Sequence, residues 1–166
     1  MLPWSEGAAS GIRSGEWYLA CVMPEGSISA STARERARRA AEILSRDPRV
    51  RLVYLYGSAV HSAEEPVGDV DLAILMNPAM DAEDLFRLRA DLVLAVGASI
   101  DLVSLDRAPI VLAHEVVDSG SCLFTRCPED ETDFVVRTRS RWLDFQPFRE
   151  EQWRLAGERL RERLGP

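Results

Sequence analysis

Lysine is absent from this sequence, and so is any excess of basic residues. All 20 basic side chains of the 166-residue chain are arginine, and 27 acidic residues outnumber them, which gives a net charge of −7. Proteins that hold a long nucleic acid usually present a basic face to its phosphates. The acidic balance therefore argues against a long nucleic acid as the partner.

Cysteines and long apolar runs are also scarce. Cys21, Cys122 and Cys127 show no paired metal-binding spacing, which is typical of reduced thiols in an intracellular protein. No apolar run reaches the roughly 18 residues of a membrane span. Residues 1–26 lack the basic and apolar regions of a secretory signal. These absences predict a cytoplasmic protein without a membrane partner.

The chain length and a hydrophobic content of 46% predict one globular domain. Apolar segments rich in β-branched and aliphatic residues predict strands at Val50–Tyr56, Asp69–Met76 and Ser99–Leu105. A capping box at Thr32-x-x-Glu35 predicts a helix before the first strand. Asp81 is expected to cap a second helix, between the second and third strands.

The remaining sequence predicts a short edge strand at Ser121–Thr125 and then helix to the end, interrupted near Pro147. One apolar stripe in this region is expected to pack on its own domain, and it consists of Trp153, Ala156, Leu160 and Leu164. We accordingly divide the chain into an N-terminal arm of uncertain role (1–30), a core (31–126) and a C-terminal helical extension packed on the same domain (127–166).

Gly57 and Ser58 follow a predicted strand and begin a predicted helical turn. A glycine lets the backbone approach a phosphate closely, and the N–H groups at a helix start attract anions. The Ser58 hydroxyl can donate a hydrogen bond to a phosphate oxygen. These two residues are therefore candidates for binding a nucleotide.

Asp69 and Asp71 are separated by one residue on a predicted strand, so their side chains are expected on the same face. Two neighbouring carboxylates repel each other unless a cation neutralises them. Hard oxygen ligands suit Mg²⁺ or Mn²⁺. The intervening Val70 and the following Leu72 are expected to face the core.

Asp101 lies within an apolar predicted strand, between Ile100 and Leu102, where an unpaired charge is unfavourable. It is the best candidate for the third carboxylate that would hold two metal ions about 3.5–4 Å apart. One helical crossover separates it from the Asp69–Asp71 strand, as expected for adjacent parallel strands. An ion pair between Asp101 and an arginine is the alternative.

The series Gly57-Ser58, ten residues, Asp69-Val70-Asp71 resembles the GSx₁₀DxD motif of the polymerase-beta-like nucleotidyltransferases. More narrowly, it resembles the minimal nucleotidyltransferase (MNT) proteins that are paired with HEPN toxins. The similarity extends from Ala33 to Thr125, with Asp101 at the place of the family's third catalytic aspartate. It implies an α/β (α+β) fold, with a small mixed sheet flanked by helices and with C-terminal helices.

The resemblance also implies two Mg²⁺ ions bound by Asp69, Asp71 and Asp101, and ATP as the nucleotide. His61 stands where many relatives have an arginine or lysine that helps to hold phosphates, so it is a candidate nucleotide-binding residue. An ordinary loop position is the alternative for His61.

The function implied by the resemblance is that of an antitoxin that transfers AMP from ATP to a hydroxyl of a HEPN ribonuclease toxin. By implication of the family, this hydroxyl belongs to a tyrosine. Two alternatives are kept: a stand-alone nucleotidyltransferase acting on a small molecule such as an aminoglycoside, and an inert antitoxin that acts by binding alone. A homo-oligomer is left open.

Arg107 and His114 have the spacing R-x₆-H, which superficially matches the ribonuclease pattern of HEPN proteins. His114, however, lies in an apolar predicted helix beside Val111 and Leu112. We therefore expect a packed histidine, and we do not interpret this chain as the ribonuclease.

Overall fold

The computed structural model of the protein describes residues 28–61 and 66–164. Their elements in chain order are β1 (Ile28–Ser29), α1 (Ala30–Leu44), β2 (Val50–Tyr56), α2 (Ser58–His61), β3 (Pro66–Val67), β4 (Val70–Met76), α3 (Ala82–Val96), β5 (Ile100–Ser104), α4 (Ile110–Ser119), β6 (Ser121–Thr125) and α5 (Pro128–Leu164). Positions 1–27 of the predicted arm (residues 1–30) lie outside the described residues. None of the helices that the described residues form is long and apolar enough to cross a membrane.

The main sheet is mixed, with the strand order β5-β4-β2-β6. Strand β2 is antiparallel to both β4 and β6, whereas β4 and β5 are parallel. A parallel pair needs a crossover connection, which α3 provides. The short strands β1 and β3 form a separate antiparallel pair. This arrangement confirms the predicted α/β fold with a small mixed sheet flanked by helices.

Both faces of the sheet are buried. Because successive strand residues face opposite sides, Val53 and Leu72 pack with α1 and α3 on one face. Leu52 and Ala73 pack on the other face, in a cluster with residues of α4 and Phe134 of α5. Strands β2 and β4 are therefore apolar almost throughout, and a charged side chain on either of them requires a specific reason.

The helix starts agree only in part with the sequence. Asp81 caps α3 as predicted, because its Oδ1 accepts a hydrogen bond from the N–H of Asp84 at 2.8 Å. The predicted start of α1 at Thr32 is wrong. The cap is Ser29, whose hydroxyl accepts from the N–H of Thr32 at 3.2 Å, so Thr32 already lies inside the helix.

Helix α5 differs from the prediction at two points. It continues through Pro147 without the expected interruption, since a proline removes one backbone donor but a long helix can bend around it. Its 37 residues correspond to a length of about 55 Å. Near its C-terminal end Trp153 is 72% exposed and Leu160 57% exposed, so these members of the apolar stripe do not pack on the described domain.

Candidate active site

Asp71 and Asp101 are direct neighbours on the parallel strands β4 and β5, where their Cα atoms are partners in the register. The residues on both sides of each aspartate are buried, and the two aspartates are only partly buried. Strand alternation therefore directs both carboxylates away from the face of the sheet that packs on α1 and α3, as the sequence predicted. The predicted adjacency of the two strands is confirmed.

Asp69 lies immediately before β4, which begins at Val70, one residue later than predicted. Its side chain is exposed. Its negative charge nevertheless acts on the carboxyl of Asp71. Asp69 therefore belongs to the same group of charges, at the solvent side of the site.

Gly57 lies directly against the carboxylate of Asp71. Its φ is +71°, in the left-handed region, and a Cβ atom built on it would be 2.2 Å from Oδ2 of Asp71. Only glycine fits this position without displacing the carboxylate. The turn that the sequence predicts as a phosphate contact thus touches one of the predicted metal ligands.

The one-turn helix α2 follows Gly57 and carries the other predicted nucleotide-binding residues. Ser58 begins the helix and is exposed, and His61 ends it and is also exposed. Nδ1 of His61 is 3.4 Å from the carbonyl oxygen of Gly57. From α1, Nη1 of Arg34 donates to the carbonyl oxygen of Ala59 at 3.1 Å, which ties α2 to the body of the protein.

Burial, together with the negative charges of Asp69, Asp101 and Glu115, raises the pKa of Asp71 to about 6. A carboxyl whose pKa is higher in the folded state than in the unfolded state destabilises the fold when it is charged. This group therefore contributes stability at low pH, and that contribution is lost as the pH rises through about 6. A cation bound nearby would favour the charged form again.

Two residues at the site were missed by the sequence analysis. Tyr56 is paired with Asp71 in the β2–β4 register, and burial together with the nearby carboxylates raises its pKa to about 12. Glu115 lies exposed on α4, and its charge acts on both Tyr56 and Asp71. The local sequence offered one weak signal, an acidic residue between apolar residues of a short helix, but only the tertiary fold brings that helix to the site.

The alternative considered for Asp101, an ion pair with an arginine, is also present. Nη1 of Arg89 on α3 is 3.8 Å from Oδ1 of Asp101. The Asp101 side chain remains 46% exposed, so the pair leaves it accessible to a ligand. The two roles of Asp101 are therefore compatible.

The donor set fits a hard divalent cation. The negative charges of Asp69 and Asp101 raise the pKa of the Asp71 carboxyl, and all three side chains offer oxygen ligands. Across residues 28–61 and 66–164, no three His, Cys, Asp or Glu side chains form a complete metal-binding group by themselves. Mg²⁺ usually takes one or two carboxylates together with substrate phosphates. A metal site here would accordingly be completed by the nucleotide.

His114, the other residue considered for chemistry, is packed as expected. Its ring stacks on Trp142 of α5 with a centroid distance of 4.1 Å. This contact joins α4 to α5. The R-x₆-H spacing therefore has a structural explanation in this chain.

Residues 39–129 match the polymerase beta nucleotidyltransferase family. The chain belongs to this family, and the resemblance seen in the sequence is confirmed. Among its relatives is the protein adenylyltransferase MntA of Shewanella oneidensis, with 32% identity over 103 residues, which cover 62% of this chain and 73% of MntA.

Solved structures show the same relationship. A crystal structure of a toxin–antitoxin with AMP-PNP has a chain that is 29% identical, with a TM-score of 0.65, covering 72% of this chain and 97% of that one. A structure of the tri-AMPylated Shewanella oneidensis HEPN toxin in complex with MNT antitoxin has a chain that is 26% identical, with a TM-score of 0.63, covering 75% of this chain and 98% of that one.

Proposed function

We propose that this protein is a Mg²⁺-dependent protein adenylyltransferase. It acts as an antitoxin by transferring AMP from ATP to a tyrosine hydroxyl of a partner HEPN ribonuclease toxin. The proposal depends chiefly on one observation, that Asp71 and Asp101 are register neighbours beside the Gly57 turn. The similarity to MntA and to MNT antitoxins in HEPN toxin complexes supports the choice of acceptor.

The turn at Gly57 and Ser58 would hold the phosphates of ATP. Its backbone can approach them closely because Gly57 has no side chain, and Ser58 can donate its hydroxyl proton. His61 is exposed on the same short helix, where its ring nitrogen can donate a further hydrogen bond. Asp69, Asp71 and Asp101 would hold Mg²⁺, which when bound neutralises the phosphate charge.

Asp101 would receive the acceptor, because it is the half-exposed carboxylate on the outermost strand of the sheet. Its oxygen would accept the hydroxyl proton of the acceptor as the hydroxyl oxygen attacks the α-phosphorus of ATP. A new bond then forms between the hydroxyl oxygen of the acceptor and the α-phosphorus. The bond between the α-phosphorus and pyrophosphate breaks, and pyrophosphate leaves. Asp71 lies between Asp101 and the Gly57 turn, so the acceptor and the phosphates of ATP would be held on opposite sides of it.

The test is transfer of label from [α-³²P]ATP to a purified HEPN partner in the presence of Mg²⁺. We expect the partner to become labelled, and we expect the double variant Asp69→Asn/Asp71→Asn to lose transfer while retaining its fold. Asp91→Asn is the matched control, because Asp91 is an exposed carboxylate on α3 outside the site. It should transfer at the wild-type rate.

Each outcome distinguishes one interpretation. Label on the partner with the wild-type protein, but not with the double variant, supports the proposal. Undiminished transfer by the double variant would contradict the assigned carboxylates. A stoichiometric complex without any transfer of label would mean that the antitoxin acts by binding alone.

A further inference from the structure

Asp101 lies on an edge strand, where its main chain has a neighbouring strand on one side only. The N–H of Val70 donates to the carbonyl oxygen of Ser99 at 3.0 Å, so Ser99 directs its carbonyl toward β4. Because main-chain groups alternate in direction along a strand, the carbonyl of Ile100 faces away from the sheet. A group at such an edge needs a partner other than a strand.

Arg89 on α3 provides that partner. Its Nε donates to the carbonyl oxygen of Ile100 at 2.7 Å. Its Nη1 is 3.8 Å from Oδ1 of Asp101. One planar guanidinium group therefore contacts both the peptide that precedes Asp101 and the carboxylate of Asp101 itself, which suits the fixed fork of its donors.

We propose that Arg89 is a positioning residue that fixes one orientation of the Asp101 carboxylate at the outer edge of β5, and with it the geometry that metal binding and transfer require. This inference rests on the proposed function. The Asp101 side chain is 46% exposed, and other carboxylates carry like charge near it, so without a partner its carboxylate would be free to take several orientations. Arg89 restricts these orientations by its attractive charge and by fixing the backbone of the strand at Ile100.

The charge and the geometry of Arg89 predict opposite effects on cation binding. Removing a positive charge near the site would, by itself, strengthen the binding of a divalent cation. Removing a residue that orients a metal ligand weakens it, typically by about 10–100-fold. Cation affinity therefore separates a positioning role from a purely electrostatic one, and it requires no transfer activity.

The experiment titrates the full-length protein with Mn²⁺ in the presence of AMP-PNP, and follows free Mn²⁺ by electron paramagnetic resonance. Arg89→Ala and Arg89→Lys are compared with Arg87→Ala, a control on the same helix whose guanidinium pairs with Glu83 and Asp84 instead. Thermal unfolding of each variant shows whether it is folded. Alanine and lysine are both good helix formers at these exposed positions, so all three variants should fold.

We expect Arg89→Ala to bind Mn²⁺ about tenfold more weakly than the wild type, and Arg87→Ala to bind it equally well. Arg89→Lys should remain weak, since a lysine carries the charge without the planar fork. In an Asp101→Asn background, Arg89→Ala should have no further effect, because the charged ligand that Arg89 positions is gone. In transfer assays, kcat should fall with Arg89→Ala while the KM for ATP stays within about twofold.

Unchanged or tighter Mn²⁺ binding by Arg89→Ala would overturn the proposal, and so would wild-type Mn²⁺ affinity in Arg89→Lys. If Arg89→Ala lowers Mn²⁺ affinity equally in the Asp101→Asn background, Arg89 acts elsewhere and the proposal is overturned as well. If the wild type transfers no label, the proposed function fails. The Mn²⁺ titration then still decides the role of Arg89, so the two failures are distinguishable.

Discussion

The contact between Gly57 and Asp71 allows a sharp test of the site by the substitution Gly57→Ala. The new Cβ would lie 2.2 Å from Oδ2 and 3.0 Å from Cγ of Asp71, so the carboxylate must move aside. A displacement of about 1 Å at a reacting centre can lower a rate about 100-fold. We therefore expect nucleotidyl transfer by Gly57→Ala to fall by about that factor or more.

The same substitution also affects stability, because Gly57 has a φ of +71°. An alanine in the left-handed region is less favourable by about 1–2 kcal/mol. For a chain of this size each kcal/mol corresponds to a change of about 2–4 °C in Tm. A decrease of about 2–8 °C is therefore expected, which leaves the protein folded at the temperature of the assay.

Gly97→Ala is the matched control for this experiment. Gly97 has nearly the same φ, +68°, but a Cβ there would meet nothing within 4 Å. It should lower Tm to a similar extent and leave transfer unchanged. Transfer is measured with [α-³²P]ATP, and Tm by circular dichroism. A folded Gly57→Ala variant with a wild-type rate, or an equal loss of activity in Gly97→Ala, would refute the reasoning.

Three further predictions concern charge, aromatic packing and the exposed part of α5. Asp71→Asn removes a half-buried charge, so without divalent cations it should raise the unfolding free energy at pH 8 by about 1–2 kcal/mol, a figure reduced for solvent screening. This gain should disappear near pH 4, where the wild-type carboxyl is protonated. The unfolding free energies are measured by urea titration at each pH, and a gain of equal size at both would contradict the interpretation. Trp142→Ala removes the stacking on His114 at 4.1 Å and should lower stability by about 1–3 kcal/mol in urea; a change near zero would contradict this packing role. Trp153→Ser and Leu160→Ser should each change stability by less than about 0.5 kcal/mol, because both side chains are exposed, and a larger loss would place them in a packed interface.

Several features of this protein follow from the sequence because they depend on neighbours along the chain. The run of β-branched, aliphatic and aromatic residues before Gly57 predicts β2 with its observed bounds, Val50–Tyr56. Asp81 caps α3 and Gly97 ends it, since caps involve residues within one turn. The short spacing from Gly57-Ser58 to Asp69 and Asp71 likewise marks the candidate site in the sequence alone.

Competition between local signals explains the errors at helix boundaries. Ser29 and Thr32 are both good capping residues, and the sequence alone does not decide between them. The pairing of β1 with β3 fixes the backbone at Ser29, which makes this residue the cap. Pro147 is a helix breaker by local rules, yet α5 continues through it.

The four strands of the main sheet, the glycine-serine turn and the paired aspartates could be predicted from the sequence, because they depend on short segments of the chain. What lies opposite them depends on the folding of distant segments onto each other. The β4–β5 register brings Asp101 beside Asp71, and helix packing places Glu115 where its charge acts on Asp71 and Arg89 beside Asp101. Strand register and helix docking depend on contacts between distant parts of the chain, which no local pattern contains.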